Sequence, residues 1–83
     1  MITPGQLRAA RALLDFTQSE LAMMAGVALA TIQRIENSNE EISGSARTLL
    51  KLHAALVDQG VEFLAGDDSR GPGVRLREPR GRI

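Results

Sequence analysis

The 83-residue sequence has no cysteine, tryptophan or tyrosine, and it contains only two phenylalanines and one histidine. Without cysteine there is no disulfide and no thiol nucleophile, and one histidine is too few for a histidine-rich metal site. Aromatic platforms on which single-stranded nucleic acids stack are not expected either. The composition therefore predicts a protein without metal or cofactor and argues against redox and single-strand-binding functions.

Long apolar runs are also lacking, and the formal net charge is zero. The first residues do not resemble a signal peptide, and no run reaches the length of a membrane span, so a cytoplasmic protein without membrane contact is expected. The charges are unevenly distributed, however. Residues 58–68 carry acids only, whereas five arginines and one glutamate follow from Arg70 onward. The C-terminal end is therefore a basic segment in an otherwise balanced chain.

Catalytic groups are scarce in this sequence. No pair of carboxylates falls at a spacing that would place both on one face of a helix, as paired acid and base catalysis would need. Glu40 and Glu41, like Asp67 and Asp68, are sequence neighbours within turn-like segments and are interpreted as solvated loop charges. We therefore expect that the protein is not an enzyme.

The first sixty residues are predicted to begin and end with a helix. Thr3 and Gln6 flank a proline and have the spacing of a capping box, which predicts a first helix over about residues 4–14. A broad apolar face predicts a last helix that begins near residues 43–45 and ends before Gly60. Both helices have an apolar stripe with which to pack against a core.

The most informative segment is 17–37, TQSELAMMAGVALATIQRIEN. Thr17 and Glu20 form a second capping box, and Gly26 can adopt the left-handed conformation that ends a helix and turns the chain. A third helix is predicted over about residues 29–36. Two short helices around a tight turn are the layout of a helix-turn-helix DNA reader, in which the second helix lies in the major groove.

After residue 60 the apolar period changes from that of a helix to that of a strand. Val61 and Phe63, and then Val74 and Leu76, alternate with charged residues on either side of a Gly-rich loop, which predicts an antiparallel hairpin. Such a hairpin is marginal alone in water. It can fold over the last helix, or its edge can pair with a second subunit.

These predictions divide the chain into three parts. Residues 1–59 form a helix-turn-helix DNA-binding domain, residues 60–78 form the hairpin and a dimerisation element, and residues 79–83 form a flexible tail. A domain of this size buries a modest core, and dimerisation would relieve that weakness.

The motif T-Q-S-E-L-A-x-x-A-G-V-x-x-x-T-I-x-R-I-E-N resembles the phage-repressor/Cro (Xre-type) helix-turn-helix family, and the match extends over about residues 6–56. The resemblance implies a mainly α, lambda-repressor-like bundle of four to five short helices, here followed by the C-terminal β-hairpin. It also implies a sequence-specific double-stranded DNA-binding transcriptional regulator, either a repressor or an autoregulator.

The resemblance assigns three positions to DNA phosphates: Gln18, Thr31 and Asn37. Gln18 would lie at the positive N-terminus of the second helix, beside free backbone N–H donors. For Asn37 an alternative is a helix C-cap in the left-handed conformation. For Gln18 the alternative is a solvated side chain.

The base-reading positions implied by the family depart from its usual polar pattern. Alanine and leucine can touch thymine methyl groups but cannot hydrogen-bond base edges. Arg34 can bind guanine through two hydrogen bonds, worth about 1–3 kcal/mol of discrimination. Alternatively, Arg34 and Gln33 form a solvated face of the helix. The positions are Ala28, Leu29, Ala30, Gln33 and Arg34.

Two further expectations come with the family. Arg11 and Glu36 are expected to pair and to brace the first helix against the third. Members bind two-fold operators as dimers, so a homodimer is expected here. Its interface is predicted at the end of the last helix and at four hairpin residues: Phe63, Leu64, Val74 and Leu76.

A second function remains open from the sequence. The neutral charge, the apolar reading positions and the arginine-rich tail also suit an antitoxin-like protein that binds a toxin and its own operator. The operator sequence, the sign of regulation and any effector are not determined by these residues.

Overall fold

The computed structural model describes residues 2–38 and 45–78. In these residues the chain forms four helices followed by a two-stranded antiparallel hairpin. The mainly helical bundle with a C-terminal hairpin is therefore confirmed. The expected tail at 79–83 lies outside the described residues, as do the predicted loop charges Glu40 and Glu41 and part of the predicted start of the last helix, at 43–44. The elements are α1 Pro4–Leu13, α2 Gln18–Ala25, α3 Leu29–Glu36, α4 Ala46–Asp58, β1 Val61–Leu64 and β2 Gly73–Leu76.

Reciprocal capping boxes begin the first two helices. The Gln6 backbone N–H donates to Thr3 Oγ1 at 3.0 Å, and the Thr3 N–H donates to Gln6 Oε1 at 2.9 Å. Thr17 and Glu20 make the same pair of bonds at the start of α2. Each box satisfies two backbone donors that a helix N-terminus otherwise leaves free.

The start of α3 differs from the starts of the other three helices, each of which has a capping side chain. Gly26 ends α2 at φ 70° and ψ 39°, as its sequence position predicts, and the chain then enters α3 through Ala28, which offers no capping side chain. At the other end Asn37 is the C-cap with φ −88° and ψ −4°. The alternative of a left-handed Asn37 is therefore wrong, because α3 ends in a right-handed turn.

A single apolar core joins all four helices to the first strand. Leu7, Leu21, Ile32 and Leu52 are completely buried, which shows that every helix contributes a central residue. The remaining buried apolar residues are Ile2, Ala10, Leu14, Ala22, Ile35, Leu49, Leu56 and Val61.

The hairpin packs against this core. Val61 pairs with Leu76, and Phe63 with Val74, so these four side chains share one face of the hairpin. Val61 is 1% exposed, and the other three pack against the core cluster. The hairpin thus folds onto its own helical bundle, and the pairing of its edge with a second subunit stays a prediction.

Gln6 ties the hairpin to α1. Its Nε2 donates to the carbonyl oxygens of Leu64 at 3.1 Å and Gly73 at 2.9 Å, which are opposite each other in the hairpin. Gln6 is 5% exposed, and its Oε1 is used in the capping box. One buried side chain therefore joins the start of α1 to the loop end of the hairpin.

Candidate nucleic-acid interface

α3 has one buried face and one exposed face. Ile32, Ile35 and Glu36 are buried against the rest of the bundle. Thr31 is half-buried at the border. The five positions assigned to base reading and Asn37 are all exposed, on the outside of the helix or at its two ends: Ala28, Leu29, Ala30, Gln33, Arg34 and Asn37.

The exposed face of α3 combines apolar surface with one cation. Leu29 is 38% exposed. Arg34 makes no hydrogen bond or ion pair with the described residues, so its guanidinium is not committed to an intramolecular partner there. The face can therefore offer methyl contacts at its N-terminal end and a charged bidentate donor near its C-terminal end.

The Glu36 carboxylate joins three helices beneath that face. Arg11 donates from Nη2 to Oε1 at 2.8 Å and from Nε to Oε2 at 2.9 Å. Gln18 Nε2, at the start of α2, donates to Oε1 at 3.0 Å. The Glu36 side chain is 2% exposed and that of Arg11 is 24% exposed. A buried charge is therefore met by the paired, hydrogen-bonded geometry that it requires.

The electrostatics of this cluster favour the ionised pair. Burial acts to raise the pKa of Glu36, but the hydrogen bonds from Arg11 and Gln18 and the charges of Arg11 and Arg8 outweigh it, so the pKa lies below its ordinary value. The hydrogen bond with Glu36 raises the pKa of Arg11. Glu36 is therefore an acceptor only, and it fixes α3 relative to α1 and α2.

Sequence reasoning missed two roles in this region. Gln18 is half-buried with its amide nitrogen on Glu36, so it braces α2 against α3; its assignment to phosphate stays a prediction that uses its second N–H. Arg8 Nη1 donates to the main-chain carbonyl of Glu36. The exposed position of Arg8 off the apolar stripe of α1 was the available signal for a polar partner.

Two of the four predicted dimer residues, Phe63 and Leu64, line a groove of about 640 Å³ between α4, the start of α1 and the hairpin loop. Phe63 also packs against the core of the same chain, as Val74 and Leu76 do. His53 stacks on Phe63 with ring centroids 4.9 Å apart. Leu50, also in the groove, is 68% exposed.

Residues 2–38 and 45–78 contain neither a metal-binding cluster nor a membrane-spanning helix. No group of three or more histidine, aspartate or glutamate side chains there is arranged to hold a metal ion. None of these helices has the length and hydropathy needed to cross a bilayer.

The comparison with protein families agrees with this geometry. A helix-turn-helix family model matches residues 7–56, which include all of α2 and α3 and most of α1 and α4. A search of curated proteins gave no significant match. The chain belongs to the Xre/Cro-like helix-turn-helix family. It is therefore a helix-turn-helix DNA-binding regulator, with DNA as its partner.

Proposed function

We propose that the protein is a sequence-specific double-stranded DNA-binding transcriptional regulator, a cytoplasmic repressor or autoregulator that inserts α3 into the major groove. The observation that carries this proposal is the division of α3 into two faces. On the inner face, Glu36 is bound by side chains of α1 and α2. On the outer face, Arg34 has no intramolecular partner in the described residues. A rigid helix with an uncommitted bidentate donor suits base readout.

Base reading in this proposal depends mainly on one side chain. Arg34 binds a guanine edge, and Gln33 reaches an adenine or a phosphate. Ala28, Leu29 and Ala30 can contribute only contacts with thymine methyl groups or shape complementarity. The protein should therefore prefer a site with one strongly specified guanine flanked by thymine-rich positions.

Phosphate contacts position the helix on the duplex. Gln18 lies at the start of α2, and Thr31 lies on the border between the buried and exposed faces of α3. Asn37 is exposed at the end of α3. Contacts at these three points would bracket the reading face from both ends. They are sequence-independent and should weaken as salt is raised.

Selection from a random duplex library tests the proposal most directly. The affinity of Arg34→Ala for the selected duplex should fall about tenfold to a hundredfold, with a smaller loss on random DNA. Arg70→Ala, a loop arginine without a side-chain partner in the described residues, is the matched control. Equal losses on both duplexes would remove the base-reading role, and failure to retain any duplex would remove the function.

We also propose a homodimer, with a second copy of the chain covering the groove lined by Leu50, Phe63 and Leu64 while Val74 and Leu76 support the hairpin from within. Exposed charges of opposite sign follow lining residues in the sequence: Arg47 and Lys51 follow Ala46 and Leu50 on α4, and Asp67 and Asp68 follow Gly66 on the hairpin loop. A two-fold axis that set the basic residues of one copy against the acidic residues of the other would pair these charges. Dimers of this kind match two-fold operators.

Sedimentation tests the homodimer. Leu50→Asp should convert a dimer to a monomer because it places a charge in the apolar groove. Met23→Asp is a matched control on α2, since Met23 is 83% exposed and does not line the groove. A wild-type protein that sediments as a monomer at tens of micromolar would refute the dimer.

The same apolar groove supports an antitoxin-like function as the second candidate, with a toxin protein as its occupant. An adjacent reading frame whose small product forms a complex with this chain on co-expression would favour it. In that case Leu50→Asp should abolish the complex, whereas Arg34→Ala should leave it intact and weaken DNA binding only.

A further inference from the structure

Arg8 lies at the C-terminal end of α3, although it belongs to α1. Its Nη1 donates to the main-chain carbonyl of Glu36, the last residue of α3, and its side chain is exposed. The next residue, Asn37, is the C-cap of α3 and is exposed as well. Arg8 therefore places a positive charge where the reading helix ends.

The end of α3 is otherwise unfavourable for a phosphate. The last carbonyl groups of a helix carry partial negative charge because they have no partner within the helix. The Glu36 carboxylate beneath them is already paired with Arg11, so this ion pair supplies no net positive charge. A DNA phosphate that approaches Asn37 therefore needs a further cation beside it.

Arg11 and Arg8 differ in their capacity to supply that cation. Arg11 uses all three of its nitrogens inside the protein, on both oxygens of Glu36 and on the Phe16 carbonyl. Arg8 uses only Nη1, so most of its N–H donors remain available on an exposed side chain. Arg8 is thus both charged and able to donate further hydrogen bonds.

We propose that Arg8 forms a phosphate-binding site at the C-terminal end of α3. Its bond to the Glu36 carbonyl orients the guanidinium, whose remaining N–H groups bind a backbone phosphate of the duplex that α3 reads. The site neutralises the negative end of the helix and anchors it in the groove. This inference rests on the proposed DNA-binding function.

Salt dependence of binding separates this role from a purely structural one. Arg8→Gln removes the charge and keeps one amide donor for the Glu36 carbonyl. For one lost phosphate contact, the slope of log K against log salt should become shallower by about 0.9. Affinity should fall by similar factors on selected and random duplexes, because phosphate contacts carry no sequence information.

Two further variants complete the design. Arg70→Gln removes the same charge from the exposed hairpin loop and should leave the slope unchanged. Arg8→Lys keeps the charge without the planar fork and should restore the slope, even if the stability of Arg8→Gln is reduced. Thermal unfolding of each variant identifies the temperature at which all are folded.

The possible outcomes are distinct. If the wild type binds duplex DNA and Arg8→Gln has the wild-type slope, the phosphate site is refuted and Arg8 only caps α3. A slope that Arg8→Lys fails to restore would also refute it. If the wild type binds no duplex at all, the proposed function fails, and the Arg8 site fails with it.

Discussion

The two halves of α1 are anchored by different kinds of polar contact. Near its start the neutral amide of Gln6 donates hydrogen bonds to two hairpin carbonyls. Further along, Arg11 pairs with the buried Glu36 carboxylate of α3. The hairpin end also relies on apolar burial of Val61. Both elements are held by apolar packing, but the polar anchor of α3 is an ion pair, whereas that of the hairpin is a neutral amide.

The largest effect is expected from Arg11→Ala. This change leaves the 2% exposed Glu36 side chain without its ionic partner, so the free energy of unfolding should fall by about 3 kcal/mol. Urea denaturation monitored by circular dichroism measures the loss. A loss of less than about 1 kcal/mol would show that charge does not dominate the fixing of α3.

Gln6→Ala tests the other anchor and should cost about 2 kcal/mol. It removes half of a capping box and the donor that serves the Leu64 and Gly73 carbonyls. Hydrogen exchange should accelerate more in the hairpin amides than in those of α3. Gln59→Ala, on the exposed C-cap of α4, is the control and should affect neither. Equal acceleration in both regions would contradict a separate hairpin anchor.

Acid should selectively weaken the packing of α3 against α1 and α2. The folded-state pKa of Glu36 is lowered from 4.5, so its contribution to stability is complete above that pH and is lost as the pH falls through the folded-state value. Melting temperatures measured downward from pH 5 should therefore fall more steeply in the wild type than in Glu36→Gln. Asp67 also has a lowered pKa, caused by hydrogen bonds from Ser69 and Arg70. Asp67→Asn is therefore the control for removing a carboxylate of lowered pKa outside the Glu36 cluster. Parallel curves for wild type and Glu36→Gln would contradict the assignment.

The smallest effect is expected at the exposed ion pair of the hairpin. Arg75 and Glu62 are paired across the strands with side chains 65% and 41% exposed. Arg75→Ala should change the free energy of unfolding by less than about 0.5 kcal/mol, because water solvates both partners. A loss comparable to that of Arg11→Ala would erase the contrast between buried and exposed pairs.

Much of the fold could be predicted because the relevant signals are local. Thr3 with Gln6, Thr17 with Glu20, and Gly26 were recognised from spacing and residue type alone, and the structure confirms them. The conformation of Asn37 was predicted less well. Asparagine tolerates the left-handed region, but sequence does not reveal whether a helix end will use it.

The site was less predictable because its contacts join distant residues. The dual use of Gln6 as a cap and as a hairpin anchor was missed, and so were the bonds from Gln18 and Arg8 to Glu36. Each depends on how two elements pack. The groove lined by Phe63 and Leu64 likewise depends on how the hairpin packs against α4 and the start of α1.

The sequence by itself determined the helices, their caps, the turn at Gly26 and the alternating hairpin. In a helix the interacting residues are three or four positions apart, and in a strand the side chains alternate between two faces, so both patterns can be read locally. Only the tertiary structure decided which polar groups meet. Gln6 reaches across 58 and 67 residues to its hairpin carbonyls, and Arg11 reaches across 25 to Glu36. Such partners are chosen by packing, because buried polar groups must be paired wherever the core places them.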